Sequence, residues 1–228
     1  LGEVGDDATV INDDKKAVAQ AITDEACKEA GYDSMEAAAE DGTAFVFMGH
    51  GTSHTANVTY DQMQSQMDDL GLTNAFIGTV EGKPEDTECQ AVIAKVKDAG
   101  FKKVVLRPLM VVAGDHANND MAGDDEDSWK SQFEASGDFD SVDCQIAGLG
   151  RIEAVEDLYV EHTKAAIDSL GTSDEAATDD ADAEATDDTT DEAAADDAQT
   201  EETTDDTAEA ADDTTDGAEE VTDDSAAE

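Results

Sequence analysis

The chain has 228 residues and a formal net charge of -48, from 60 acidic and 12 basic residues. This excess of negative charge argues against a nucleic-acid partner, because phosphate backbones require a basic surface. No apolar run approaches the roughly 20 residues of a membrane-spanning helix, so no membrane partner is expected either. The three cysteines, widely spaced at Cys27, Cys89 and Cys144, suit a reducing compartment, and a cytoplasmic location is expected.

The negative charge is unevenly distributed. Of the 60 acidic residues, 25 follow Gly171, and no Lys or Arg does. Residues 172–228 are almost wholly Ala, Asp, Glu and Thr, with Val221 as the one larger aliphatic residue. Such a segment buries too little apolar surface to offset its chain entropy, so we predict a disordered tail. A solubilising role is favoured over weak attraction of divalent cations.

The first 171 residues alternate helical and strand patterns. Helices are predicted at 13–30, 56–70, 85–99, 118–136 and 153–170, and strands at 44–48, 75–80, 102–112 and 144–149. Pro108 cannot donate to a sheet, so a bulge or break is expected within the third strand. Connections of this length imply parallel pairing with right-handed crossovers. The sequence therefore predicts an α/β fold, a three-layer parallel sheet with flanking helices.

A metal-binding side chain follows each of the first three predicted strands. These residues are His50, Glu81 and His116. Because the carboxyl ends of parallel strands share one edge of the sheet, the three side chains are expected to converge there. Two imidazoles and one carboxylate suit a borderline divalent metal such as cobalt, nickel, iron or zinc.

Each of these residues also has a simpler interpretation. His50 can be a polar loop residue without a role, and Glu81 a solvated carboxylate at a strand end. The polar cluster around His116 can serve only to cap the next helix through Asp115 or Asn118. Recurrence at one predicted sheet edge is what favours the metal site.

Three motifs resemble those of the anaerobic sirohydrochlorin cobaltochelatases. They are Phe-Met-Gly-His-Gly-Thr at 47–52, Gly-Thr-Val-Glu-Gly at 78–82, and the long run from Pro108 to Asp125, with shorter matches at 148–150 and 158–162. The resemblance covers about residues 43–170. It implies a two-lobed α/β chelatase that inserts a divalent metal into a tetrapyrrole without ATP. The family's metal ligands fall here on His50, Glu81 and His116.

The same resemblance divides the chain into three parts. Residues 1–42 are interpreted as a remnant of the first lobe with a linking helix, and residues 43–171 as the metal-binding chelatase lobe. Residues 172–228 form the acidic tail, which lies outside the family pattern. The rest of the first lobe is expected upstream of Leu1.

The resemblance implies a lyase that inserts Co²⁺ into sirohydrochlorin in anaerobic cobalamin synthesis. Co²⁺ is then the substrate metal, no organic cofactor is expected, and a homo-oligomer is left open. His54 and Arg107 are the candidate tetrapyrrole contacts, with Lys83 as a further cation. Two alternatives are a non-catalytic metal or tetrapyrrole carrier and a chelatase for nickel or iron. A zinc hydrolase is less favoured, because no residue is clearly placed as its general base.

Overall fold

The structure, a computed structural model, describes residues 13–175, which lie within one compact unit. The first residues of the predicted tail continue the last helix, and residues 176–228, where the rest of that prediction falls, lie outside the described part. Among the described residues, no helix is both long and apolar enough to cross a bilayer.

Four strands form one sheet. They are β1 (Thr43–Gly49), β2 (Ala75–Thr79), β3 (Lys103–Pro108) and β4 (Ser141–Cys144), arranged in the order β2-β1-β3-β4. All three pairings are parallel, as predicted from the long connections. Every residue of β1 is buried. A central strand covered on both faces reads in sequence as a continuous apolar run.

Helices cover both faces of this sheet. They are α1 (Asp13–Glu29), α2 (Met35–Glu40), α3 (Val58–Asp69), α4 (Cys89–Asp98), α5 (Trp129–Ser136) and α6 (Glu153–Glu175). Alternate side chains of β1 enter different cores, because successive residues of a strand face opposite ways. Phe45 and Phe47 pack with α1, α2 and α3, whereas Ala44, Val46 and Met48 pack with α4 and α5. The predicted three-layer α/β fold is confirmed.

The third and fourth strands differ from their predicted bounds. β3 ends at Pro108 and does not continue to residue 112, which agrees with the break expected at the proline. β4 occupies 141–144, not 144–149. The apolar residues after it were misread as strand, because Leu149 begins a short 3₁₀ turn and is buried against the α1 side of the core.

Two predicted helices also need correction, and α2 was not predicted at all. The helix expected at 118–136 is divided into a π-helix, His116–Met121, and the separate α5. Ser128 caps α5 by accepting a hydrogen bond from the backbone N–H of Ser131. The last helix does not stop at residue 170 but continues to Glu175. The helices α1 and α2 pack in the same core as the sheet, and their assignment to another lobe stays a prediction.

Gly78 of β2 lies against the buried indole of Trp129. A Cβ on Gly78 would be 2.3 Å from Trp129 Cη2 and 3.3 Å from Val92 Cγ2. Because Trp129 is only 3% exposed, it cannot swing aside freely. We expect Gly78→Ala to lower the free energy of unfolding by about 1–3 kcal/mol, measured by urea denaturation.

Gly114→Ala is the matched control for this prediction. No atom lies within 4 Å of a Cβ at Gly114, and its φ is not in the left-handed region. We therefore expect no loss of stability in Gly114→Ala. Wild-type stability in Gly78→Ala would show that the sheet and α5 pack less closely than described.

Candidate metal site at the carboxyl edge of the sheet

Two histidines meet where β1 and β3 end. His50 directly follows β1, and His116 begins the π-helix after β3. Their ring centres are 4.8 Å apart, and the ring planes lie at 79° to each other. His50 is exposed and His116 is partly exposed, so both imidazoles can be reached from solvent. The structure thus brings together two of the three predicted metal ligands.

Glu81 lies beside this pair through its backbone. Its N–H donates a hydrogen bond of 2.9 Å to the carbonyl oxygen of His50. Its side chain is exposed. Within residues 13–175, no group of three His, Cys, Asp or Glu side chains is gathered to hold a metal ion. The third predicted ligand is therefore a neighbour of the histidine pair, with its carboxylate apart from the two rings.

Tyr60 of α3 supports the turn that carries His50. Its hydroxyl accepts a 2.9 Å hydrogen bond from the N–H of Gly51. Its ring packs so closely on Gly49 that a Cβ there would be 2.4 Å from Tyr60 Cε1. The glycines on either side of His50 are therefore needed for packing as well as for access to the ring.

The hydrogen bonds of the imidazoles distinguish the histidines chemically. Nδ1 of His50 is 2.8 Å from the carbonyl oxygen of Gly51, which can only accept, so Nδ1 carries the proton and Nε2 keeps its lone pair. In His54 the pattern is reversed, because Nδ1 accepts from the N–H of Ala56 at 3.0 Å. Nε2 of His54 is then the protonated nitrogen. His50 therefore offers a metal donor atom, whereas His54 offers a hydrogen-bond donor.

Comparison with known proteins identifies the family. The cobalt chelatase (CbiK) family matches residues 8–168, which is most of the chain. The chain belongs to the cobalt chelatase family. The resemblance recognised from its motifs is thereby confirmed.

Two curated relatives of the chain are named sirohydrochlorin cobaltochelatases. It is 42% identical over 122 residues to the sirohydrochlorin cobaltochelatase of Salmonella typhimurium, a match that covers 54% of this chain and 44% of that protein. It is 36% identical over 129 residues to the sirohydrochlorin cobaltochelatase CbiKC of Nitratidesulfovibrio vulgaris, covering 56% and 43% respectively. The chain thus spans less than half the length of the curated relatives it matches.

Arg107 is buried and paired within the fold. Its side chain is only 2% exposed, and its Nη1 lies 2.6 Å from Glu29 Oε2 and 2.7 Å from Gln145 Oε1. The guanidinium therefore joins β3 to α1, in contrast to the expected contact with a tetrapyrrole. Lys83 is more accessible, with an exposed ion pair of 3.4 Å to Glu85. The sequence could not show which face of β3 the arginine would occupy.

Tyr60, whose hydroxyl supports the His50 turn, also lines a largely apolar cavity of about 320 Å³. Tyr60 lines it from α3, Leu109 and Val111 from the segment after β3, and Tyr159 from α6. Val111 is 49% exposed and Tyr159 is 46% exposed. Open apolar surface next to a few polar groups is typical of small-molecule sites. This surface suits one face of a flat, largely apolar ring system.

The cysteines of the described part are free thiols and poor candidates for metal ligands. Burial raises the pKa of Cys27 and of Cys144 to about 11 and the pKa of Cys89 to about 12. Because the thiolate is the form that binds metal, thiols protonated at neutral pH bind it weakly. The candidate metal ligands are therefore imidazole and carboxylate groups.

Proposed function

We propose that the chain carries the metal-binding part of a sirohydrochlorin cobaltochelatase, which inserts Co²⁺ into the tetrapyrrole without ATP. The observation that carries this proposal is the meeting of His50 and His116 at a solvent-facing sheet edge. Imidazole is a suitable ligand for borderline divalent metals. Both relatives described above are named sirohydrochlorin cobaltochelatases, which supports the choice of metal and macrocycle.

The spacing of the two rings is compatible with one shared ion. With metal–nitrogen bonds of about 2 Å and tetrahedral angles, two imidazoles on one ion have centres roughly 5 Å apart. The observed separation is 4.8 Å. Glu81 is the proposed third ligand, since rotation of its exposed side chain can turn the carboxylate toward the pair. Its negative charge would strengthen capture of the cation.

A set of three protein ligands leaves coordination positions open. These positions hold water at first and then accept a nitrogen of the macrocycle, whereas a closed set of four would retain the metal. Insertion also releases two pyrrolic protons. A neutral imidazole that has given up the metal has a free lone pair and can accept one of them. His50 and His116 can therefore serve both as metal ligands and as bases.

The macrocycle is proposed to lie on the apolar cavity lined by Tyr60, because Tyr60 also supports the turn that carries His50. Val111 and Tyr159 would then contact one face of the ring. The carboxylates of sirohydrochlorin would be met by the Nε2–H group of His54 and by Lys83, both exposed near strand ends. We place this reaction in anaerobic cobalamin synthesis in the cytoplasm.

The test is an anaerobic assay of the full chain with Co²⁺ and sirohydrochlorin, followed by the absorbance of the metallated product. We expect insertion faster than the spontaneous reaction, and a fall to the spontaneous rate in His50→Ala and His116→Ala. His162→Ala should retain the wild-type rate, because its imidazole contacts Asp14 and not the site. Parallel assays with Ni²⁺ and Fe²⁺ identify the preferred metal.

One outcome would favour a carrier instead. The tail and the metal site make a non-catalytic carrier the second candidate. Binding of Co²⁺ and of sirohydrochlorin with no acceleration at any protein concentration would favour that carrier over catalysis by this chain alone.

A further inference from the structure

His116 has a carboxylate partner within its own helical segment. Oδ2 of Asp120 lies 2.5 Å from Nδ1 of His116. The two residues are four apart in the π-helix His116–Met121. Side chains four residues apart are neighbours on a helical segment. This spacing places the carboxylate of Asp120 beside Nδ1 of His116.

We propose that Asp120 is a positioning residue for metal binding by His116. This inference rests on the proposed function, in which His116 holds Co²⁺. An ionised carboxylate only accepts hydrogen bonds, so Nδ1 of His116 carries the proton and Nε2 keeps its lone pair for the metal. The carboxylate also fixes the plane of the ring and makes Nε2 a stronger donor.

His50, the other histidine of the pair, also carries its proton on Nδ1, but its hydrogen-bond acceptor is different. The carbonyl oxygen of Gly51 faces Nδ1 of His50 at 2.8 Å. Both rings therefore present Nε2, although one is oriented by the backbone and the other by Asp120. His54, whose Nδ1 accepts a backbone hydrogen bond, presents the opposite tautomer. The structure thus separates the two metal-binding histidines from their neighbour by hydrogen bonding alone.

A purely structural role for this contact is the competing explanation. The side chains of His116 and Asp120 are 37% and 45% exposed. Polar pairs exposed to this degree contribute little to stability, because water competes for both partners. Orientation of the ring is the larger consequence of the contact.

Asp115 supplies a matched control. Its Oδ1 accepts a 2.6 Å hydrogen bond from Nδ2 of Asn119. The two residues are four apart in sequence, as are His116 and Asp120. Asp115→Ala removes the same negative charge beside the same π-helix but leaves the imidazole contact intact. Both variants therefore lose one carboxylate from the same short segment, and only Asp120→Ala also loses the contact with His116.

The first measurement is calorimetric titration of the full chain with CoCl₂ alone. We expect Asp120→Ala to bind about 10- to 100-fold more weakly than wild type, the usual effect of losing an outer-shell partner. Asp120→Asn should be intermediate, because its amide oxygen still accepts from Nδ1 without the charge. Asp115→Ala should bind as wild type does. An equal loss in Asp115→Ala and Asp120→Ala would overturn the proposal in favour of a general charge effect.

The second measurement is ¹⁵N NMR of the metal-free histidines, which reports the tautomer directly. We expect His116 to be protonated at Nδ1 in the wild type and to shift toward Nε2–H in Asp120→Ala. An unchanged tautomer together with weaker binding would show that Asp120 does not set the tautomer of His116, which also overturns the proposal. Wild-type affinity in Asp120→Ala would also overturn the proposal. If that variant does not fold, wild-type affinity in Asp120→Asn would overturn it.

The same titration separates this inference from the proposed function. If His116→Ala binds Co²⁺ as wild type does, the metal site itself is wrong, and the role of Asp120 fails with it. If His116→Ala weakens binding but Asp120→Ala does not, only the positioning role is wrong.

Discussion

His116→Ala is expected to lose Co²⁺ affinity by more than about 10- to 100-fold, since loss of an outer-shell partner alone costs that much. The substitution removes a nitrogen donor from a set of at most three protein ligands. His50→Ala should show a loss of similar size, because its ring lies 4.8 Å from that of His116 and supplies the other nitrogen donor. Glu81→Ala should show a smaller loss, because its carboxylate stands apart from the rings in the metal-free protein.

The measurement is titration of the full chain with CoCl₂. Any binding of cations by the acidic residues that follow Gly171 is common to every variant, so a difference between variants belongs to the site. His162→Ala controls for the loss of any imidazole. Unchanged affinity in all three single variants at His50, Glu81 and His116 would remove this edge as a metal site.

The fold was predictable because its strongest signals are local. β1 lies between two others and is covered by helices on both faces, so its residues form an uninterrupted apolar run. Pro108 marks the end of β3 for a covalent reason, the missing N–H donor. The π-helix at His116–Met121 could not be predicted. Its residues, His-Ala-Asn-Asn-Asp-Met, have no pattern that distinguishes a π-helix from an α-helix, and the segment packs against β3.

The sequence predicted where on the sheet the candidate site lies, but it did not predict the side-chain contacts within the site. Parallel pairing brings the ends of β1 and β3 together, which favours a meeting of His50 and His116 at that edge. Side-chain orientation does not follow from pairing. Arg107 therefore enters the core beside α1, although the next residue ends the strand that leads toward the site. Asp120 was seen only as part of a polar cluster, although its spacing of four from His116 was the signal for a contact.

Gly51→Ala is the second substitution with a large expected effect, because Gly51 lies between two of the proposed ligands. Its φ is +90°, and a Cβ there would be 2.9 Å from Cβ of Glu81 and 3.0 Å from Cβ of Thr79. Alanine would therefore add both backbone strain and a collision between the His50 turn and the end of β2. We expect the free energy of unfolding to fall by about 2–4 kcal/mol.

Gly100→Ala separates these two costs. Gly100 has nearly the same φ, +88°, but no atom lies within 4 Å of its Cβ position. It should lose only the strain of a left-handed alanine, about 1–2 kcal/mol. The difference between the two losses in the free energy of unfolding, measured by urea denaturation, is the cost of the collision.

Titration with CoCl₂ measures the effect of the collision on metal binding. Gly51→Ala should weaken Co²⁺ binding, since the collision moves His50 relative to Glu81, whereas Gly100→Ala should bind normally. Equal stability losses and equal affinities in the two variants would mean that the His50 turn and the end of β2 are not in contact, and Glu81 could then not join the histidine pair.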